Sequence, residues 1–281
     1  MFDMFQLPFM VQAFTAALIT GLLLSYLGVH VVGRGIVFVD LALGQISSLG
    51  VAFAAFIGSG VTSVPLIFTL AGALLLSFIN IRDRRLKQEA IIGIIYAFAS
   101  ALTVLLISKT PHGDSDIQEV LFGNVLSVSP AKINEMGIVF GCVALVQLVF
   151  FKKFYALTRS FEMGEQHKIG TFNIWNFLFY MSIGLAIVYA VKINGVIHVF
   201  AYLIIPAVSA LMIFKNDILV IIAAALISVL GGFFGMFLSF KEDFPAGSSV
   251  VAVLGGLFIL ASLFRIIKGF VVKESSGEGA E

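Results

Sequence analysis

"GIVFVDLALGQISSLGVAFAAFIG", residues Gly35 to Gly58, is apolar enough to cross a bilayer, yet it holds an acid, Asp40, and an amide, Gln45, well inside its ends. A helix of about 20 apolar residues matches the thickness of a hydrocarbon core. Polar groups placed there are costly unless something partners them. The stretch therefore reads as a membrane helix with a reason to carry two polar side chains.

Similar runs recur along the chain, at Leu7–Leu27, Ile36–Ile57, Val64–Ile81, Ala90–Ser108, Ile133–Phe151, Ile174–Val191, Val196–Phe214, Ile218–Leu238 and Val250–Ile267. A lipid-exposed backbone must satisfy its own hydrogen bonds, so these are helices. Strict alternation over segments of about 10 residues, the mark of a membrane barrel, is absent. Composition agrees: 60% of residues are hydrophobic and 12% charged, where soluble domains average about 25% charged. The mean hydropathy is +1.08. The expected fold is an all-α polytopic membrane protein of about nine transmembrane helices, eight if one segment is short or re-entrant. Residues 1–270 form one transmembrane domain, and residues 271–281, ending "KESSGEGAE", a disordered cytoplasmic tail.

Orientation follows from the basic residues. With the N-terminus outside, all of the 17 Lys and Arg except Lys109, Lys132, Lys192 and Lys241 fall on the inner side, and the C-terminus is cytoplasmic. The start "MFDMFQLPFM" lacks a basic region and a cleavage site, so the first span is expected to act as an uncleaved insertion signal. The single cysteine, Cys142, lies in a span and can form no internal disulfide. A net charge of +1 gives no indication of a nucleic-acid partner.

Small residues recur at helical spacing: Gly44, Ser48 and Ala52; Gly93, Ala97 and Ala101; Gly231, Gly232 and Gly235; Gly255 and Gly256. They let helices approach closely. The intramembrane polar groups are Asp40, Gln45 and His198, with Glu89 at the inner end of its span. Asp40 lies about 9 Å inward from Arg34 and Gln45 near mid-depth, while His198 follows the outer pair Asn194–Gly195. They form a candidate transport pathway.

Enzyme signatures are missing. There is no H-E-x-x-H pair, no G-x-S-x-G elbow and no G-x-x-x-x-G-K-[ST] loop, and His30, His112, His167 and His198 lack ligand spacing. Energy from ATP would have to come from a partner. The inner loop "FKKFYALTRSFEMGEQHKIGTFNIW" mixes aromatic, basic and acidic residues, and Tyr155–Lys168 reads as a short helix along the membrane that could dock such a partner. The outer loop carries Asp114, Asp116 and Glu119, which would attract a cation or a basic surface.

Four stretches, in order, resemble the membrane permease subunits of bacterial ABC importers for zinc, manganese and iron. "GRGIVFVDLALGQISSLGVAFA" is similar to that family's Arg-rich loop, Gly-Asp-x-x-x-His and Leu-Gly-Val-Ala. "EVLFGNVLSVSP", "NGVIHVFAYLIIPAVSALM" and "DFPAGSSVVAVLGGLF" resemble its Leu-Phe-Gly-Asp-x-Leu, Leu-Ile-Ile-Pro-Ala and Asp-x-Pro-Ala-Gly-Pro segments.

The resemblance implies a permease dimer in the bacterial cytoplasmic membrane, importing a divalent metal ion, with zinc or manganese leading and iron an option. It implies no cofactor on this chain, ATP on a cytoplasmic ATP-binding subunit, and an extracytoplasmic metal-binding protein docking near Asp114, Asp116, Glu119 and Asp243. The family's coupling segment, Asp-Pro-Glu-x-Ala-x-x-x-Gly, is partly matched, with Glu162 first, Gln166 at the Ala position and Gly170 last. Tyr155, Arg159, Glu162, Gly164 and Gly170 are the expected coupling residues.

The family's Asp and His, four residues apart, share a helix face. Here Leu41 and Gln45 occupy those positions, and the acid has moved to Asp40. Five residues turn a helix by about 140°, so Asp40 and Gln45 do not share a face. His198 stands where the family is apolar and is the candidate to supply an imidazole, making Asp40 and His198 the expected metal ligands. An ATP-independent channel or secondary carrier is the alternative, and an intramembrane enzyme or assembly factor a third reading.

Overall fold

The computed structural model describes residues 2–60, 62–79, 88–109, 128–164 and 173–277. A 3-10 segment, Phe2–Gln6, leads into α1 (Pro8–Gly33), α2 (Val39–Ile57), α3 (Ser63–Phe78) and α4 (Gln88–Ile107). Then come α5 (Pro130–Val149), α6 (Phe151–Glu162), α7 (Ile174–Asn194), α8 (Val196–Ile213), α9 (Asp217–Glu242) and α10 (Ala246–Gly277). No strand occurs among the described residues. Among the described residues, eight helices are long and apolar enough to cross a membrane, while α3 has only 16 residues.

The short α3 nonetheless spans the same depth as α7. Near its start, Lys192 of α7 donates to the Thr62 hydroxyl at 3.5 Å. Near its end, Asn176 donates to the Ser77 carbonyl at 3.4 Å. Gly184, midway along α7, packs on Ala73 and Thr69. The two helices therefore run antiparallel over about 24 Å of rise. All nine expected spans are helices, and one end of the bundle collects the α1–α2 elbow, the start of α4, α6, and the first turns of α7 and α9. Arg34, at the α1–α2 elbow, marks that end.

Local chemistry sets the ends. Pro8 opens α1, where its missing N–H is harmless. The Asn173 side chain accepts from the amides of Trp175 and Asn176, and Asn216 caps α9 in the same way. At the far end of α9, Asp243 takes a left-handed conformation with φ 56°. Helix α10 continues to Gly277, through Lys273 and Glu274, where a disordered tail is expected from composition. Both residues are good helix formers and no glycine intervenes before Gly277.

Helix α1 is the hub, buried along most of its length and packed on α5, α6, α7, α8 and α9. Its small residues make this possible: Gly28 lies against the Leu203 carbonyl with no room for a methyl group, and Gly21 sits beneath Tyr202 and Ser228. Gly235 meets the Val250 backbone in the same manner. Gly93, Gly255 and Gly256 instead face open space, on surfaces shared with exposed Ile94, Phe98, Ile259 and Leu260 that suit lipid.

Candidate functional site

Asp40 occupies the first turn of α2 and is 2% exposed. Neither carboxyl oxygen has a hydrogen-bond partner among the described residues. Besides the backbone amides of Asp40 and Leu41 at the positive end of its own helix, no group among the described residues favours the charge. Gln45 is also buried, and the neighbouring Gly44 packs on Val191 and Val196 at the junction of α7 and α8. The separation of about 140° between Asp40 and Gln45 exposes neither, because α3, α4, α7 and α8 surround α2. Ser48 spends its hydroxyl on the Gly44 carbonyl at 2.9 Å. Among the described residues, Asp40 is thus a buried acid without a side-chain partner.

His198 lies in the first turn of α8, buried, with both ring nitrogens lacking a hydrogen-bond partner among the described residues. Its ring stacks on Tyr202 at 4.8 Å between centroids and 20° between planes. Tyr202 in turn lies over Gly21 of α1, with its hydroxyl against Gly232 of α9. The face of α8 that meets α2 carries Val196, two residues and about 200° earlier. His198 therefore belongs to the packing of α1, α8 and α9, and the structure does not gather it with Asp40.

The turn before it is not a surface loop. Asn194 is fully buried and donates to the Thr20 hydroxyl at 3.0 Å and to the Ala190 carbonyl at 3.1 Å. From the level of Thr20, α1 runs about 18 Å further to Pro8. The break between α7 and α8 lies inside the bundle, with Gly195 at φ 78° and ψ 161° allowing it. The sequence suggests an outer surface turn here; the Asn194–Thr20 bond holds it deeper.

At the Arg34 end, α6 is shorter than the expected Tyr155–Lys168 helix and begins four residues earlier. It buries Phe154, Leu157 and Thr158 and leaves Arg159 and Glu162 outside. Met163 caps the helix, and Gly164 then turns the chain at φ 71°. Thr158 is its contact point with α1. The Thr158 hydroxyl donates to the Phe154 carbonyl at 3.0 Å, so its lone pairs accept from Arg34 Nε at 3.1 Å and His30 Nδ1 at 2.9 Å. Arg34 also donates from Nη1 to the Asn176 amide oxygen at 3.2 Å, and its guanidinium lies 3.5 Å from the centre of the Phe179 ring. Burial lowers the Arg34 pKa to about 9, which leaves it cationic at neutral pH.

On the outer side of α6, Tyr155 bonds Asp217 of α9, and Asp217 also faces Glu162. Burial, then repulsion from Asp217, raises the Glu162 pKa, and Arg159 offsets part of that. The Tyr155 hydroxyl is raised as well, through burial and its bond to Asp217. Asp243 is exposed at the α9–α10 turn, at the opposite end of the bundle. Asp114, Asp116, Glu119 and Gly170 lie outside the described residues. Among the described residues, no three His, Cys, Asp or Glu side chains come together as a metal site.

Sequence reasoning missed Thr158, His30 and Asn176, and counted Arg34 only as an inner-side charge. Arg34 is 4% exposed, which a topological charge has no need to be. A basic residue directly ahead of the polar span was the available signal; Thr158 offers none without its contacts.

The family model described as "ABC 3 transport family" matches residues 6–265. The manganese transport system membrane protein MntC of Halalkalibacterium halodurans is 27% identical over 273 residues, covering 96% of this chain and 92% of that one. The chelated iron transport system membrane protein YfeD of Yersinia pestis is 27% identical over 267 residues, covering 94% and 88%. The fold is shared with PsaBC from Streptococcus pneumoniae, solved in complex with Fab, at a TM-score of 0.75 and 23% identity over 91% of each chain. With its apolar helices and this match over nearly its whole length, the chain belongs to the ABC 3 transport family as a membrane-spanning permease.

Proposed function

We propose that the chain is the permease subunit of an ATP-driven importer for a divalent transition-metal ion, with Asp40 on the ion's path. The observation that carries this is a buried carboxylate whose two oxygens meet no side-chain partner among the described residues, inside a helix that four others surround. A membrane protein bears that cost where an ion is to be handled. The Asp40 carboxylate offers oxygen donors, which suit manganese better than they suit zinc. Relatives named for manganese and for chelated iron support manganese and iron as candidates beside zinc.

His198 is the candidate second ligand, and its unpartnered nitrogens support the assignment although its ring packs towards α1 and α9. The partners in this reading are a cytoplasmic ATP-binding subunit on α6, a second permease copy, and an extracytoplasmic metal-binding protein over Asp243 and the loop holding Asp114, Asp116 and Glu119. The N-terminus faces outwards in this arrangement.

The test is ATP-dependent uptake of manganese, iron, zinc and cobalt into vesicles holding the chain and its ATP-binding subunit. Selective uptake that Asp40→Asn abolishes is the expected result. Uptake that persists without nucleotide would favour a channel or carrier. Normal transport by His198→Ala would remove His198 from the path.

A further inference from the structure

Three elements meet in one small polar joint at the Arg34 end. Thr158 of α6 has its hydroxyl fully used, by His30 on the last turn of α1, by Arg34 at the α1–α2 elbow, and by its own helix. Arg34 continues the chain of contacts to Asn176 of α7 and to the face of Phe179. A methyl group on Gly33 would strike Thr158 Cγ2 at 2.8 Å and Glu162 Oε1 at 2.6 Å, so α6 sits directly on the end of α1. Arg34 is buried and six residues ahead of Asp40, and the intervening segment is itself bonded back to α1, through Gly35 N to Val32 O at 3.0 Å and Ile36 N to Val31 O at 3.2 Å. The first turn of α2 is thereby tied to α6 through a few directed bonds.

We propose that Thr158 and Arg34 are positioning residues that transmit movement of α6 to the start of α2, and so to Asp40. This rests on the reading of α6 as the helix that the ATP-binding subunit pushes. The joint is built for transmission in a way that ordinary packing is not. A guanidinium bonded to both Thr158 and Asn176, with its carbon over the Phe179 ring, cannot slide without losing directed bonds. Displacing α6 therefore draws the elbow with it. An ammonium at position 34 would keep the charge and lose this fixed geometry.

The experiment uses the complex of the chain with its ATP-binding subunit in vesicles, with Cys142→Ala and Phe38→Cys introduced. Phe38 is 44% exposed at the N-cap of α2, so a maleimide reports on the start of that helix. Labelling is compared with and without ATP and vanadate, beside metal uptake per ATP hydrolysed. In the otherwise native chain, nucleotide should change the labelling rate. Thr158→Val, which keeps the shape and removes the hydroxyl, should abolish that change and lower uptake per ATP at least about fivefold while the subunits still co-purify and hydrolyse ATP. Thr158→Ser should restore both, and Arg34→Lys should not.

The proposal is overturned if Thr158→Val responds to nucleotide as the native residue does, or if nucleotide never alters labelling at Phe38→Cys. A nucleotide response that Thr158→Val abolishes, in a complex that moves none of the metals, would support the joint and defeat the metal-importer reading. The two failures are thus separate.

Discussion

At the scale of single residues, Asp40 and Glu162 show how burial divides function from packing. A carboxylate held away from water without partners lowers stability, so its retention points to use. Asp40→Asn keeps the shape and removes the charge. The expected outcome is an unchanged or raised melting temperature in detergent, with uptake reduced at least about tenfold. A lowered melting temperature with uptake intact would make Asp40 structural. Glu162 is a surface acid whose pKa is raised by partial burial and by Asp217. A raised folded pKa means that its contribution is fully present below the unfolded value, about 4.3, and is lost as pH rises through the folded one. Glu162→Gln should therefore gain on the native chain as pH climbs from 4 towards 7, read as the difference in melting temperature at each pH.

At the scale of elements, the break between α7 and α8 is the least replaceable turn. Gly195 holds φ 78° and ψ 161°, a region that side chains other than hydrogen avoid. Gly195→Ala should cost about 1–3 kcal/mol, measured by denaturation in detergent, because the buried Asn194–Thr20 bond prevents the turn from relaxing. The same change at Gly93, which lies inside α4 and faces open space, should leave stability unchanged or raise it by up to about 1 kcal/mol. A glycine's neighbours, and not its place in a small-residue stripe, decide what it tolerates.

At the scale of the whole molecule, α3 decides the topology. If it crosses the membrane beside α7, as its hydrogen bonds at both ends indicate, nine crossings put the two termini on opposite sides. Labelling of terminal tags on intact cells should detect the N-terminal tag outside and the C-terminal tag only after permeabilisation. Both tags on one side would mean that α3 turns back within the bilayer.

The sequence by itself determined that this chain is a bundle of membrane helices, because twenty-residue apolar runs admit no other way to satisfy a backbone in lipid. It also identified Asp40 and Gln45 as residues that do not belong in lipid, since their polarity conflicts with the run around them. It could not say which residues meet. On a lone helix Asp40 and Gln45 point to different sides, but four neighbouring helices bury both. His198 reads from sequence as a histidine inside a span, and only Tyr202, Gly21 and Val196 fix its side of α8. Arg34 counts as a loop charge until Thr158, 124 residues away, accepts from it. Membrane insertion is read from each segment's own composition, whereas contacts depend on how helices rotate and cross, which only close packing around small residues decides.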